Sequence, residues 1–112
     1  MRLLFVCSYN RMRSPTAEVL FANHRGVETM SAGTSPDAEA VVSAEMIEWA
    51  DVILVMEPAH RKRLNEMFKS QLRDKRIVVL DIPDRYEYMD PELVRILEAK
   101  VPRYVRLPGV GT

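Results

Sequence analysis

The chain has 112 residues, 16 of them basic and 16 acidic, which is the length and composition of one ordinary globular domain. A single cysteine excludes a disulfide framework and a multi-cysteine zinc or iron–sulfur site, and two histidines far apart in sequence give little basis for a metal centre. No apolar run approaches membrane-spanning length, and Leu3–Cys7 is too short for a signal-peptide core. We therefore expect a single cytoplasmic domain over residues 1–112, without a metal, a cofactor or a membrane partner.

Charge is distributed in blocks, although it sums to zero. Residues 1–26 carry four arginines against one acid, whereas residues 27–57 carry seven acids and no lysine or arginine. Blocks of this kind usually form solvated faces of a compact domain. The alternative is that the basic N-terminal block frames an anionic ligand.

Four short apolar runs predict buried strands. They are Leu3–Val6, Val52–Met56, Ile77–Leu80 and, more weakly, Val27–Met30. Apolar residues at helical spacing follow each run. Pro15, Pro58 and Pro91 stand where helices are expected to begin, and Asp90 is the expected N-cap before Pro91. Gly26 is the expected end of the first helix.

This alternation of strands and helices predicts an α/β fold, a four-stranded parallel sheet with helices on both faces. Ligands bind such sheets beyond the carboxyl ends of the strands, so functional residues are expected after Val6, Met56 and Leu80. Residues 107–112, with one proline and two glycines, are expected to form a frayed tail.

The loop after the first strand has the pattern Cys, five residues, Arg, Ser. A turn from a strand into a helix N-terminus directs backbone N–H groups inward, and their positive field would favour the thiolate of Cys7 and bind a phosphate. The Arg13 guanidinium suits two phosphate oxygens, and Ser14 can donate a hydrogen bond to the thiolate. The predicted phosphate-binding residues are Ser8, Tyr9, Asn10, Arg11, Met12, Arg13 and Ser14.

A buried structural cysteine after a strand is common, so the spacing alone is only suggestive, and the strand–loop–helix context is what strengthens it. Neither G-x-x-x-x-G-K-[ST] nor G-x-G-x-x-G occurs in the chain. Nothing in the sequence therefore indicates binding of ATP, GTP or NAD.

Four segments, in order, resemble the low-molecular-weight protein tyrosine phosphatases. They are residues 3–18, Ser31–Thr34, Ala50–Glu57 and Asp81–Tyr86. The resemblance covers nearly the whole chain, and it implies metal-free hydrolysis of phosphate monoesters through a phosphocysteine.

The resemblance also implies roles for individual residues. Cys7 would be the nucleophile, Arg13 the phosphate clamp and Asp84 the general acid. Ser14 would stabilise the leaving thiolate, and Asn10 would hold the shape of the loop. Asp81, which continues the last strand directly, is the alternative acid.

The chain departs from the family pattern at several places. It is shorter between Gly33 and Asp51, where the family builds a wall that selects aromatic phosphoesters and carries a histidine that supports the loop asparagine; only Asp37 lies nearby. A second cysteine is replaced by Met12, so an intramolecular protective disulfide is impossible. These departures leave the predicted chemistry intact, but the identity of the substrate is not determined by the sequence.

Aromatic and charged residues could form the mouth of the site: Tyr9, Arg11, Tyr86 and Tyr88. The two tyrosines near the fourth strand could equally pack on the rim of the sheet, and Arg11 could be a surface charge. We expect His24 and His60 on the surface.

The sequence favours a cysteine-dependent phosphatase acting on phosphotyrosine or another aryl phosphate. A non-catalytic module that binds phosphorylated partners and a cysteine phosphocarrier are the alternatives. Arg13 and Asp84 disfavour the carrier, which must keep its phosphate, and intact Cys7, Arg13 and Ser14 disfavour the binding module. The sequence shows no basic surface rich in aromatic residues, so it gives no positive indication of nucleic-acid binding. The oligomeric state cannot be read from the sequence.

Overall fold

Four parallel strands form one sheet in the computed structural model, which describes residues 1–107. The strands are β1 (Arg2–Cys7), β2 (Glu28–Gly33), β3 (Val52–Val55) and β4 (Arg76–Val79), in the spatial order β2-β1-β3-β4. All pairings are parallel. The predicted α/β fold with a four-stranded parallel sheet is thus confirmed, and the weakest predicted strand, β2, ends three residues later than its apolar run.

Helices occupy the predicted places between and after the strands. They are α1 (Arg13–Phe21), α2 (Ala44–Trp49), α3 (Pro58–Met67) and α4 (Pro91–Lys100), and a 3₁₀ turn, Val101–Arg103, follows α4. Pro58 and Pro91 are the first residues of their helices, and Asp90 caps α4 by accepting a hydrogen bond from the Glu92 amide at 2.9 Å.

The two remaining boundary predictions need correction. Pro15 is the third residue of α1, because that helix begins at Arg13, directly after the loop that follows β1. Gly26 does not end the helix. Instead, it lies four residues beyond Ala22, the residue that caps α1, with φ of 78°, and it turns the chain towards β2.

Alternating residues of the central strands bury their side chains on opposite faces of the sheet. Leu3 and Phe5 of β1 pack in one apolar cluster with Phe21 of α1 and Leu97 of α4. Leu4 and Val6 pack in a second cluster with residues of α2 and α3, among them Ile47 and Leu64. Helices therefore cover both faces, which is why the central strands read as unbroken apolar runs.

The strand order places the end of β1 at a switch point. The chain leaves β1 towards β2 on one side and returns to β3 on the other, which opens a crevice beyond the carboxyl end of β1. The loop from Cys7 to Arg13 occupies this position.

Leu107, predicted as the first residue of a frayed tail, is part of the folded core. Leu107 is buried and packs with Val105 in the same cluster as α1 and α4, because apolar side chains at these positions close the edge of that core. Residues 108–112 lie outside the described part of the chain. Within residues 1–107, none of the helices has the length and apolar character needed to traverse a membrane.

Candidate active site

The thiol of Cys7 is buried at the end of β1, where the loop that leads into α1 begins. The backbone amide of Asn10 donates a hydrogen bond to its Sγ at 3.2 Å, and the hydroxyl of Ser14 lies 2.9 Å from the same sulfur. Both contacts stabilise a negative charge on sulfur, because each can present a hydrogen to it.

Asn10 adopts the left-handed conformation with φ of 55°, which asparagine tolerates better than most residues. Its side-chain amide donates to Ser14 Oγ at 3.0 Å. Ser14 Oγ also lies 3.4 Å from the carbonyl of Ala32, so its single hydrogen has two acceptors to choose from. It can serve the Cys7 thiolate, or it can turn to the carbonyl when the sulfur carries its own proton.

The segment after β2 holds the backbone of the loop from behind. The amides of Thr34, Ser35 and Glu39 donate to the carbonyls of Cys7, Ser8 and Tyr9, each at 3.0 Å. With its carbonyls engaged on this side, the loop can turn N–H groups towards the opposite side, as an anion-binding loop requires. Although this segment is shorter than in the resembled family, it still supports the loop.

Gly33 makes this close approach possible. A Cβ at this position would lie 2.5 Å from the carbonyl oxygen of Ser8 and 2.5 Å from the Cβ of Ala38, well inside contact distance. The glycine is therefore required by space, and any side chain there would displace the loop that carries Cys7.

Arg13 is almost fully buried, with 2% of its surface exposed, beneath the loop. Its Nη1 donates to Glu57 Oε2 at 2.6 Å and to the carbonyl of Ile82 at 2.7 Å, and its Nε lies 3.7 Å from Asp84 Oδ1. Since Nη1 uses both of its hydrogens on these acceptors, Nε and Nη2 are the groups that can serve phosphate oxygens.

A cavity of about 220 Å³ brings most of the predicted site residues together: Cys7, Ser8, Tyr9, Arg11, Met12, Arg13 and Asp84 line it. Asp81 lies in a separate depression with Pro58 and Arg61, and its carbonyl accepts a hydrogen bond from Lys100 Nζ at 3.0 Å. Of the two candidate acids, Asp84 is the one that lines the cavity together with Cys7.

The mouth of the cavity has one of the three predicted tyrosines. The ring of Tyr9 is half exposed, and the Arg11 guanidinium lies 5.6 Å from its centre while Arg11 Nε is 3.4 Å from Glu39 Oε1. Tyr86 is instead buried in the apolar cluster that includes Leu93 and Leu97 of α4, and the exposed Tyr88 does not line the cavity.

Comparison with known proteins gives one curated relative and several solved structures. The protein-arginine-phosphatase of Geobacillus stearothermophilus is 34% identical over an alignment that covers 66% of this chain and 66% of that protein, about two thirds of its length. No protein-family model matches.

The structure of YwlE arginine phosphatase from Geobacillus stearothermophilus has a TM-score of 0.70 and 26% identity, covering 87% of this chain and 88% of that one. The tyrosine phosphatase Wzb from Escherichia coli K30, in complex with phosphate, has a TM-score of 0.73 and 19% identity, covering 92% and 94%, and shows the shared fold. The chain belongs to the low-molecular-weight protein tyrosine phosphatase family. The enzyme class predicted from the sequence, a cysteine-dependent phosphatase, is confirmed with it.

His60 lies at this site and not on the surface, where the sequence placed it. It is 4% exposed, its Nε2 is 2.9 Å from Ser8 Oγ, and its Nδ1 accepts a hydrogen bond from the Glu57 amide at 3.0 Å. Burial lowers the pKa of His60 below the ordinary 6.5, and the nearby Arg13 guanidinium lowers it further, against the opposing effects of Glu57 and Asp84.

A sequence signal for His60 does exist. Glu57 lies two residues beyond β3 and directly before Pro58, so that His60 is the third residue of the helix, where a side chain can reach back to the helix start. The position beyond a strand that neighbours β1 then brings the histidine to the loop of this phosphatase. Across residues 1–107, His, Cys, Asp and Glu side chains form no cluster of three or more suited to a metal ion.

Proposed function

We propose that this phosphatase hydrolyses phosphate monoesters without a metal, through a phosphocysteine on Cys7, and that its substrates are phosphorylated protein side chains, phosphotyrosine foremost. The observation that carries the proposal is the cavity in which the Cys7 sulfur, the Arg13 guanidinium and the Asp84 carboxyl group meet. One related structure, a C7S mutant of YwlE arginine phosphatase with a phosphorylated active-site serine, supports phosphoryl transfer to this position; it has a TM-score of 0.69 and 25% identity.

In the first step, the Cys7 thiolate attacks phosphorus and the bond from phosphorus to the leaving oxygen breaks. Asp84 gives its proton to that oxygen, so the dephosphorylated product leaves as a neutral alcohol or phenol. Loop N–H groups and Arg13 bind the other phosphate oxygens and stabilise the charge that they carry in the transition state.

In the second step, a water attacks phosphorus and Asp84, now a carboxylate, takes its proton. The sulfur–phosphorus bond breaks, inorganic phosphate leaves and the Cys7 thiolate is restored. The Ser14 hydroxyl, 2.9 Å from the sulfur, donates a hydrogen bond to the departing thiolate, and Asn10 holds that hydroxyl in place.

The test is release of phosphate from an aryl phosphate in the presence of a chelator. Wild type is expected to turn over, and Cys7→Ser is expected to lose the activity. Equal release by the two proteins would contradict the mechanism.

Asp84→Asn should slow phenyl phosphate by about 10² to 10⁴-fold and an activated nitrophenyl ester much less, because only the poor leaving group needs the proton. Asp81→Asn is the matched control and should behave as wild type. An equal loss on both esters, or a selective loss in the control variant, would assign the acid elsewhere.

Two features of the mouth favour a phenol as the leaving group. The exposed ring of Tyr9 offers an aromatic surface beside the cavity, where a phenyl ring can stack. Arg11, at the same mouth, would oppose a leaving group that carries its own positive charge.

Phosphoarginine in proteins is the second candidate substrate, favoured by the 34% identity to the protein-arginine-phosphatase. Its guanidine leaving group becomes cationic when protonated, so Arg11 should disfavour it unless Glu39, 3.4 Å from Arg11 Nε, offsets the charge.

Two peptides that differ only in the phosphorylated residue, tyrosine or arginine, separate these candidates. We expect a higher kcat/KM on the phosphotyrosine peptide, and a gain on the phosphoarginine peptide in Arg11→Gln, with Arg25→Gln as the control. A wild-type preference for phosphoarginine would overturn the aryl assignment and leave the cysteine mechanism standing.

The two alternatives predicted from the sequence give distinct results in the same assays. A phosphocarrier would accumulate a long-lived phosphocysteine, and a binding module would bind phosphate without turnover. A reducing compartment such as the cytoplasm fits the proposal, because the nucleophile has to stay a free thiol.

A further inference from the structure

The start of α3 is joined to the phosphate loop by a buried histidine. His60 reaches across 52 positions of the chain to Ser8, its Nε2 lying 2.9 Å from the Ser8 hydroxyl. Ser8 also lines the cavity beside Cys7, and its carbonyl accepts the Ser35 amide. The loop is thus held by segment 34–39 on one side and by His60 on the other.

The hydrogen-bond partners determine which tautomer His60 adopts. Its Nδ1 accepts a hydrogen from the Glu57 amide and therefore carries no proton of its own. The remaining ring proton must be on Nε2, which donates it to the Ser8 hydroxyl oxygen. Protonation of the ring would place a second hydrogen against the Glu57 amide and break that contact.

We propose that neutral His60, acting through Ser8, is a positioning residue that holds the phosphate loop in its anion-binding shape, and that protonation of His60 weakens this hold because the ring loses its anchor at the Glu57 amide. The inference deepens the proposed function and rests on it for the turnover readout. The inference implies that activity falls at acid pH because His60 is protonated, in addition to any effect of the titration of the nucleophile and the general acid.

Three charged groups face the ring, each from a different element. Arg13 at the start of α1 opposes protonation, while Glu57 before α3 and Asp84 after β4 favour it. Burial is the largest influence, and the net result is a lowered pKa of His60, so the neutral form persists below the ordinary value of 6.5.

Two conservative substitutions of His60 distinguish the roles of its two ring nitrogens. An asparagine oxygen can take the place of Nδ1 and accept from the Glu57 amide, but the side chain is too short to reach Ser8. A glutamine nitrogen can take the place of Nε2 and donate to Ser8, while the contact at Nδ1 is lost. His60→Asn should therefore preserve stability and lose the loop contact, and His60→Gln should do the reverse.

Each variant is measured for kcat/KM on an aryl phosphate, for competitive inhibition by inorganic phosphate, and for thermal unfolding. We expect about a tenfold loss in kcat/KM and in phosphate affinity for His60→Asn, the loss of one well-placed hydrogen bond, and a smaller loss for His60→Gln. Ser8→Ala should match His60→Asn, and the double variant should lose no more than either single one. His24→Asn, away from the site, is the control with wild-type kinetics.

If His60 were purely structural, the variant that loses more stability, His60→Gln, would also lose more activity, and the losses of His60→Asn and Ser8→Ala would add in the double variant. Either result would overturn the proposal. The acid limb of the wild-type pH profile should also shift in His60→Gln, and an unchanged limb would overturn the protonation step.

If wild type binds phosphate but does not turn over, the proposed function fails while phosphate affinity still tests His60. If turnover depends on Cys7 but His60→Asn leaves both readouts unchanged, only the inference fails.

Discussion

Gly33→Ala is expected to slow catalysis and also to destabilise the fold. The added Cβ would lie 2.5 Å from the Ser8 carbonyl oxygen, 2.5 Å from Ala38 Cβ and 3.1 Å from the Asn10 amide nitrogen. Carbon atoms pack at about 3.5 Å or more, so the loop or the Ala38 segment must move by about 1 Å. Overpacking of this kind costs about 1 to 3 kcal/mol of folding free energy. A misplacement of about 1 Å at the reacting groups costs about 100-fold in rate.

The assay compares kcat/KM on an aryl phosphate with urea unfolding of the same preparation. Gly26→Ala is the matched control: Gly26 has φ of 78° and lies before β2, so alanine there should cost about 1 kcal/mol from the left-handed conformation. Its rate should stay at the wild-type value. The reasoning is refuted if Gly33→Ala keeps the wild-type rate, or if the two variants lose activity equally.

Three other predictions rest on separate features. Ser14→Ala should slow breakdown of the phosphocysteine by about 10-fold, since the departing thiolate loses a hydrogen bond, and rapid-quench accumulation of the intermediate checks this. Wild-type stability should fall as the pH drops below 6.5, because the unfolded chain protonates His60 before the folded one, and His60→Asn should lack this component in urea titrations across pH. Leu97→Ala, at a fully buried position of α4, should cost about 2 to 5 kcal/mol in urea unfolding while leaving KM unchanged.

Local patterns in the sequence predicted the strands and helices and the loop that begins at Cys7, although not every boundary. The apolar run Leu3–Val6 predicts a strand covered on both faces, and Pro58 and Pro91 begin helices because a missing N–H costs nothing there. The spacing from Cys7 to Arg13 follows from the same logic, since one turn between a strand and a helix start brings both ends of the motif to one cavity.

Contacts between distant segments were outside the reach of such patterns. Asp81 and Asp84 are both acids beyond β4, and only the path of the folded chain shows that Asp84 lies beside Arg13 while Asp81 joins a different depression. Tyr86 is another case, because nothing in its neighbours distinguishes a tyrosine at a mouth from one buried in a core.

His60 is the most instructive residue in this respect. Flanked by lysine and arginines on a helix, it reads as a surface side chain, yet the strand order puts β3 next to β1 and so brings the start of α3 against the phosphate loop. The sequence alone determined the chemistry of the loop, because strand, turn and helix are local. Which side chains support that loop was decided by the tertiary structure, because strand order and burial depend on the packing of segments far apart in the chain.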